Sequence, residues 1–296
     1  MSISEDTFTS WSKGPGTTEQ ERCDNAERAV RKAIDASEAL SAMDITVFPQ
    51  GSYAGRTNVR QNSDVDICVR LNSVAFSDYP DGKGNSDYGR VESDLKFADY
   101  RNMVGKALTD YFGAKSVTRG IKAFDVHENS YRIDADVIAT FEHRRYLSDG
   151  TNRWHAGVAF KTDAGDLIKN FPKHCYDSGV AKNDRVGRRY KRVVRILKRL
   201  RDAMQDQGIT AAKNVPSFLI ECLVWNVPDD RFNHDSYAAD VRAVLAHTFN
   251  ATLNDNDCSS WVETNELKWL FKGAKPWTRV QAHDFLGAAW NQCGFK

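Results

Sequence analysis

Between Asp64 and Leu71 the chain alternates strictly, with Val65, Ile67 and Val69 on one side of an extended backbone and Asp64, Asp66 and Cys68 on the other. A period of two marks a strand with one buried face. Its open side is acidic. Upstream, residues 18–43 place Ala26, Ala29, Val30, Ala33, Ile34 and Leu40 at near-helical spacing among Glu, Arg and Lys, which predicts one long helix. A short strand follows at 45–48, closed by Pro49-Gln50-Gly51-Ser52, a turn from which a further helix opens near Tyr53. Residues 79–89, rich in Asp, Gly, Ser and Asn, read as a loop, and 91–112 return to a helical pattern. Two more strands fit 122–127 and 132–141, the second carrying Asp134 and Asp136 on a common side.

Beyond Lys173 the pattern changes. Residues 185–207, 217–227, 237–249, 261–271 and 280–293 all read as helices, with Trp225, Trp261, Trp269 and Trp277 as core positions. The expected architecture is α+β: a mixed sheet with flanking helices and a long N-terminal helix over residues 1–173, then a helical lobe over 174–296. There is no internal repeat and no low-complexity tract.

Composition narrows the function. With 41 Lys plus Arg against 40 Asp plus Glu and a net charge of +1, the chain has no global field for a long polyanion, so no stable nucleic-acid partner is expected. The six cysteines (Cys23, Cys68, Cys175, Cys222, Cys258 and Cys293) include no C-x-x-C pair, which argues for reduced thiols in a cytoplasm rather than a zinc site or disulfide framework. No apolar run is long enough for a bilayer, and no membrane partner is expected.

The informative chemistry is Gly51-Ser52 followed, after eleven residues, by Asp64-Val65-Asp66. A turn of small residues lets backbone N–H groups approach phosphate oxygens, and a serine hydroxyl adds a donor. Two carboxylates at i and i+2 on a strand point the same way, and an all-oxygen donor set suits magnesium or manganese. A pair of such ions catalysing in-line phosphoryl displacement generally needs a third carboxylate from another strand, and Asp136 or Asp134 supplies it, since both have the required parity. Alone, a Gly-Ser is usually just a turn and an Asp-x-Asp usually solvated charge. Their combination at this spacing is a sharper signal.

At these residues the chain resembles the polymerase-β-type nucleotidyltransferase superfamily, whose members carry a Gly-Ser, an Asp-x-Asp and a distant third Asp. More narrowly it is similar to the cGAS/DncV-like nucleotidyltransferases of bacteria, clade CdnE. That resemblance rests on Gln50-Gly51-Ser52-Tyr53, Thr57-Asn58-Val59-Arg60, Ser63-Asp64-Val65-Asp66, Leu71-Asn72-Ser73, Ala107-Leu108-Thr109-Asp110-Tyr111, Asn170-Phe171-Pro172-Lys173, Ala181-Lys182-Asn183 and Pro216-Ser217-Phe218-Leu219-Ile220-Glu221-Cys222-Leu223. It implies a polymerase-β-like core and a helical lobe around one active-site cleft. It makes Asp64, Asp66 and Asp136 the catalytic ligands of two Mg2+ ions, with Mn2+ as a substitute. Gln50, Gly51 and Ser52 would meet the triphosphate, with Lys198 and Ser217 adding contacts from the helical lobe. Read without the resemblance, the stretch 191–201 is a solvated basic helix face.

Asn170 bears on substrate. In the resembling clade an Asn before an aromatic-Pro-Lys element accompanies pyrimidine use, and an amide offers both donor and acceptor to uracil; the bland alternative is a loop cap. The resemblance thus implies a synthase that joins nucleoside triphosphates, UTP and ATP among them, into a cyclic dinucleotide such as cyclic di-UMP or cyclic UMP–AMP; nothing in the sequence demands more than a monomer. A separate effector protein would read this product in anti-phage defence. The rival readings are an RNA-tailing enzyme, a small-molecule or protein nucleotidyltransferase, and a nucleotide sensor without turnover.

Overall fold

The computed structural model describes residues 2–59 and 64–296. Arg60 and Ser63, quoted in two of the stretches above, lie outside the described residues. The chain divides into two compact units, one of residues 16–53 and 61–173, the other of residues 1–15, 54–60 and 174–296.

The first unit is built on a sheet. Its strands are β1 (Ile45–Pro49), β2 (Val65–Asp78), β3 (Val117–Arg119), β4 (Phe124–Val126), β5 (Ala135–Tyr146), β6 (Trp154–Lys161) and β7 (Leu167–Asn170). They lie in the order β1-β2-β5-β4-β3, with β6 paired to β5 and β7 to β6. The β2–β5 pair is parallel, and β1–β2, β4–β5, β5–β6 and β6–β7 are antiparallel. A parallel neighbour requires a long crossover, which the chain makes through α5 (Phe97–Phe112) and the β3–β4 hairpin.

Val65, Ile67, Val69 and Leu71 are at most 1% exposed, and they share a core with Val137 and Phe141 of β5 and with Val30, Ile34, Val104 and Leu108 of the helices. Each such side chain contributes on the order of 2 kcal/mol by leaving water. The buried hydroxyl of Tyr100 donates to the Val69 carbonyl at 3.2 Å. The alternation read from sequence is therefore the pleat of β2, whose other side carries Asp66 and Cys68.

The single helix expected at 18–43 is two, α2 (Thr17–Asp35) and α3 (Glu38–Ser41). Ala36 N–H turns back to the Lys32 carbonyl, and Ser37 is extended at φ −81°, ψ 117°. The Ser37 carbonyl then accepts from Leu40 and Ser41 N–H and starts the second helix. A four-residue helix, α4 (Gly51–Ala54), follows β1. The strands that alternation did not announce are β3, β6 and β7. In β6, Gly157, Val158, Ala159 and Phe160 are consecutive; the last three are at most 3% exposed, so no polar face marks the strand.

The second unit is helical: α1 (Glu5–Ser12), α6 (Pro172–Arg185), α7 (Arg189–Asp206), α8 (Ser217–Trp225), α9 (Tyr237–Ala251) and α10 (Arg279–Cys293). Its core gathers Phe8 of α1, Val193, Val194 and Leu197 of α7, Leu219 and Leu223 of α8, Val244 of α9 and Phe285 of α10. Residues 261–271, expected to be a helix, are turns around an isolated Val262–Trp269 bridge. The Asn265 carboxamide oxygen accepts from Leu267 N–H at 2.8 Å and Lys268 N–H at 3.1 Å, and Glu266 sits at φ +59°. A side chain that caps the backbone two residues on makes a turn of what periodicity called helix. Trp269 is correspondingly 49% exposed, whereas Trp225, Trp261 and Trp277 are buried. Among the described residues no helix is long and apolar enough to cross a membrane, and all six cysteines are free thiols.

Candidate active site

Three strands bring carboxylates into line. Asp66 on β2 is the register partner of Asp136 on β5, and Asp136 is in turn the partner of Asp125 on β4. Directly opposed residues project from the same face with their Cβ atoms about 5 Å apart. Asp64, two residues before Asp66, shares that side. Asp134, the alternative third ligand, precedes β5; its carboxylate accepts the Glu128 N–H at 2.6 Å and lies 4.0 Å from His127 Nδ1. The two residues that parity left equivalent are thus placed differently, Asp136 beside Asp66 and Asp134 committed to the loop before the strand.

Crowding raises every carboxyl of this row whose shift is resolved. Asp66 is pushed up to about 6, by burial first and by Asp64 second. Asp136 is pushed up to about 7, by burial, then by a hydrogen bond with Asp125, then by the charges of Asp66, Asp64 and Asp125. Asp64 is raised by partial burial and by Asp134 and Asp125. Like charges held close in a half-dry site are relieved by a proton or by a divalent cation. The donors are all oxygens, which fits a hard cation such as magnesium. They stand in a row and not a cage: among the described residues no three His, Cys, Asp or Glu groups are gathered as a closed metal site. Asp125 escaped the sequence reading, although its position between buried Phe124 and Val126 marks it as the polar side of a strand.

The Gly-Ser turn is stitched to this row. Gln50, only 9% exposed, donates its N–H to the Asp66 carbonyl at 2.8 Å. Gly51 follows at φ +66°, and a Cβ placed on it would stand 2.3 Å from Asp66 Oδ2. Both facts demand glycine: the left-handed backbone disfavours other residues, and the carboxylate occupies the space a side chain would take. Ser52 follows, half-buried, in the first turn of α4.

Asn170 ends β7 opposite Val158 of β6, and Val158 is opposite Glu142 of β5. Glu142 lies six residues from Asp136 along one strand, so alternation puts Asn170 on the same face of the sheet as the carboxylates.

In the helical unit, Lys198 is 1% exposed. Its ammonium donates to the Thr57 carbonyl and hydroxyl, both at 3.1 Å, and to Glu221 at 3.3 Å, while the Thr57 hydroxyl donates to Glu221 at 2.7 Å. Ser217 opens α8 and accepts from Arg201 at 3.0 Å. The basic stretch 191–201 is not a solvated face. Arg195 donates to the carbonyls of Ser12 and Arg56 at 2.7 and 2.6 Å, and Arg201 is 6% exposed. Helix α7 is packed against α1, α8 and α9, and Arg195, Lys198 and Arg201 each donate to backbone carbonyls of neighbouring segments.

Comparison with known proteins identifies the family. The family model for the cGAS/DncV-like nucleotidyltransferase C-terminal helical domain matches residues 177–294. The cyclic dipyrimidine nucleotide synthase CdnE of Legionella pneumophila is 43% identical over 98% of this chain and 98% of its own. A cyclic dipurine nucleotide synthase of Elizabethkingia meningoseptica is 36% identical over the full length of both. The solved structure of the Rhodothermus marinus CdnE c-UMP-AMP synthase with Apcpp and Upnpp superposes with a TM-score of 0.88 at 30% identity, covering 99% of this chain and 98% of that one. The polymerase-β-like α+β fold is shared, and transfer of a nucleotidyl group in this fold is metal-dependent. The chain belongs to the cGAS/DncV-like nucleotidyltransferases, in the CdnE clade, and is a nucleotidyltransferase.

Proposed function

We propose that this enzyme condenses nucleoside triphosphates into a uridine-containing cyclic dinucleotide, cyclic di-UMP or cyclic UMP–AMP, read by a separate effector in anti-phage defence. The observation that carries the chemistry is the pairing of Asp66 with Asp136 beneath a Gly-Ser turn bonded to Asp66 itself. The names of the relatives support cyclic dinucleotide synthesis and include both pyrimidine and purine products, so the uridine assignment rests on Asn170.

In this reading Asp64, Asp66 and Asp136 hold two magnesium ions, with manganese as a substitute, and Asp125 backs Asp136. Bound there, the cations favour ionisation of an attacking hydroxyl and balance the charge of the leaving pyrophosphate. Gly51 lets the backbone close on the triphosphate, and Ser52 donates to a phosphate oxygen. Asn170 holds the uracil edge through its carboxamide. The 3′-oxygen of one nucleotide forms a bond to the α-phosphorus of the other as the bond to the β-phosphate bridge breaks, releasing pyrophosphate. The linear product then re-enters for a second transfer that closes the ring. Ser217 adds a hydroxyl to the phosphates. The Lys198 ammonium is held by Thr57 and Glu221.

The test is incubation with four ribonucleoside triphosphates and magnesium, then with each omitted, resolving phosphatase-resistant products beside an Asp64→Ala/Asp66→Ala control. A resistant product that needs UTP and vanishes in the control is expected. A resistant product made from purines alone overturns the uridine assignment. Extension of added RNA, or label on another acceptor, overturns cyclisation.

A further inference from the structure

Asn170 lies on β7, which pairs with β6 alone, and such an edge strand has little to hold one side chain at one spot. Its neighbours on both sides are nonetheless fixed. Lys169 forms an ion pair with Asp78 at the end of β2, and the other Asp78 oxygen lies 3.5 Å from Nε2 of His143. His143 is wholly buried on β5, where its Nδ1–H donates to the Phe76 carbonyl at 2.9 Å. On the other side Phe171, 3% exposed, sets its ring 5.3 Å from the His143 ring at a tilt of 58°.

Gly157 makes this arrangement possible. It is the β6 partner of His143. A Cβ there would stand 2.4 Å from the Asn170 carbonyl oxygen and 2.9 and 3.1 Å from Phe171 ring carbons. Gly157 is not among the positive-φ glycines, so its backbone accepts any residue and glycine serves only the close approach of another chain. The approaching backbone is that of Asn170.

We infer that Phe171, seated on Gly157 and against His143, positions Asn170 and thereby sets the preference for uridine over purine nucleotides. This rests on the proposed role of Asn170 as base reader. Gly157 and Phe171 touch no base in this scheme; they are positioning residues. An added methyl at Gly157 pushes on the Asn170 backbone, displacing a carboxamide whose donor and acceptor must both meet the uracil edge. A site built to hydrogen-bond its substrate loses discrimination when that geometry slips.

The experiment compares Gly157→Ala, Phe171→Leu and Asn170→Ser with the parent, measuring kcat/KM for UTP and for the purine triphosphates with magnesium, together with the melting temperature. The Asn170→Ser ratio tests the reading, and the other two test the positioning. Gly157→Ala and Phe171→Leu are each expected to lower the UTP-to-purine ratio about tenfold. A merely structural role lowers both rates together and leaves the ratio at the parental value, which overturns the inference. Phe171→Leu keeps an apolar side chain of similar volume, so it decides the matter where Gly157→Ala does not fold. Loss of selectivity in Asn170→Ser alone refutes positioning and spares the reading, whereas an unchanged ratio in Asn170→Ser refutes both.

Discussion

The Lys198 ammonium lies 3.3 Å from the Glu221 carboxylate, at a place where 1% of the lysine side chain meets solvent. Thr57 completes the cluster, so two of the sequence stretches that carry the family resemblance, those of Thr57 and Glu221, converge on the Lys198 ammonium. Removing one partner of such a pair leaves the other charged and dry, which costs about 3 kcal/mol, whereas removing both with apolar side chains costs far less. Lys198→Met and Glu221→Leu are each expected to lower the unfolding free energy by about 3 kcal/mol, and Lys198→Met/Glu221→Leu to recover most of it. A double-mutant cycle in urea measures this; additive losses would show that the pair does not act as a unit.

The acidic row gives a pH dependence of definite sign. Asp66 and Asp136 titrate higher in the folded protein, at about 6 and about 7, than their ordinary 3.8. The folded state therefore binds more protons than the unfolded one across that window, and stability of the cation-free protein falls as pH rises from about 4 to about 7. Calorimetry in EDTA should show this decline, and Asp66→Asn/Asp136→Asn should flatten it. At pH 8 the double variant is expected to melt higher than the parent by on the order of 5 °C, corresponding to about 1–2 kcal/mol after solvent screening. Magnesium should stabilise the parent and leave the variant's melting temperature unmoved.

Asp136 and Asp134 are two residues apart, and their placement separates their expected effects. Asp136→Asn, which empties the position beside Asp66, should reduce kcat by about 1,000-fold or more, a loss on the order of removing a principal transition-state contact. Asp134→Asn weakens one loop hydrogen bond and should cost under about tenfold. Pyrophosphate release measures both, and equal losses would contradict the assignment of the third ligand.

Gly51→Ala adds a methyl where Asp66 Oδ2 stands and strains a left-handed backbone. The strain alone is about 1–3 kcal/mol, and relief requires the carboxylate to move. Activity is expected to fall about 100-fold while far-UV circular dichroism stays native; a variant with parental turnover would show that the approach of Gly51 to Asp66 is not needed.

The parts of the fold that sequence disclosed were those with a one-sided pattern. The β2 pleat from Val65 to Leu71 and the amphipathic α7 and α9 read directly because one face is apolar and the other is not. Strand β6 did not, since its run at 158–160 is buried on both faces, and α1 did not, since only Phe8 and Trp11 mark eight residues. The turn at 261–271 was hidden because Asn265 acts through a side-chain hydrogen bond that periodicity does not register. For the site, Asp64 and Asp66 were legible from local spacing and Asp136 from the resemblance. Asp125 and Gly157 acquire meaning only through strand register, which joins residues that the sequence keeps apart.

The discontinuity of the helical unit reaches into the making of the protein. Phe8 of α1 is fully buried in a core shared with α7 to α10, and Glu5 accepts the N–H groups of Tyr237 and Ala238 at the start of α9. At translation rates of roughly 5–20 residues per second, α1 waits about 10–40 s for α7, some ~180 residues later. Throughout that interval the sheet unit, completed by residue 173, is free to fold while α1 hangs at its amino-terminal end with Phe8 and Trp11 uncovered. Helix α1 is made before the rest of its core and is thus among the last to dock, a clasp that shuts once α7 to α10 have emerged. A chain halted at residue 173 carries every acidic residue of the site and none of the helical core that α1 was made to close.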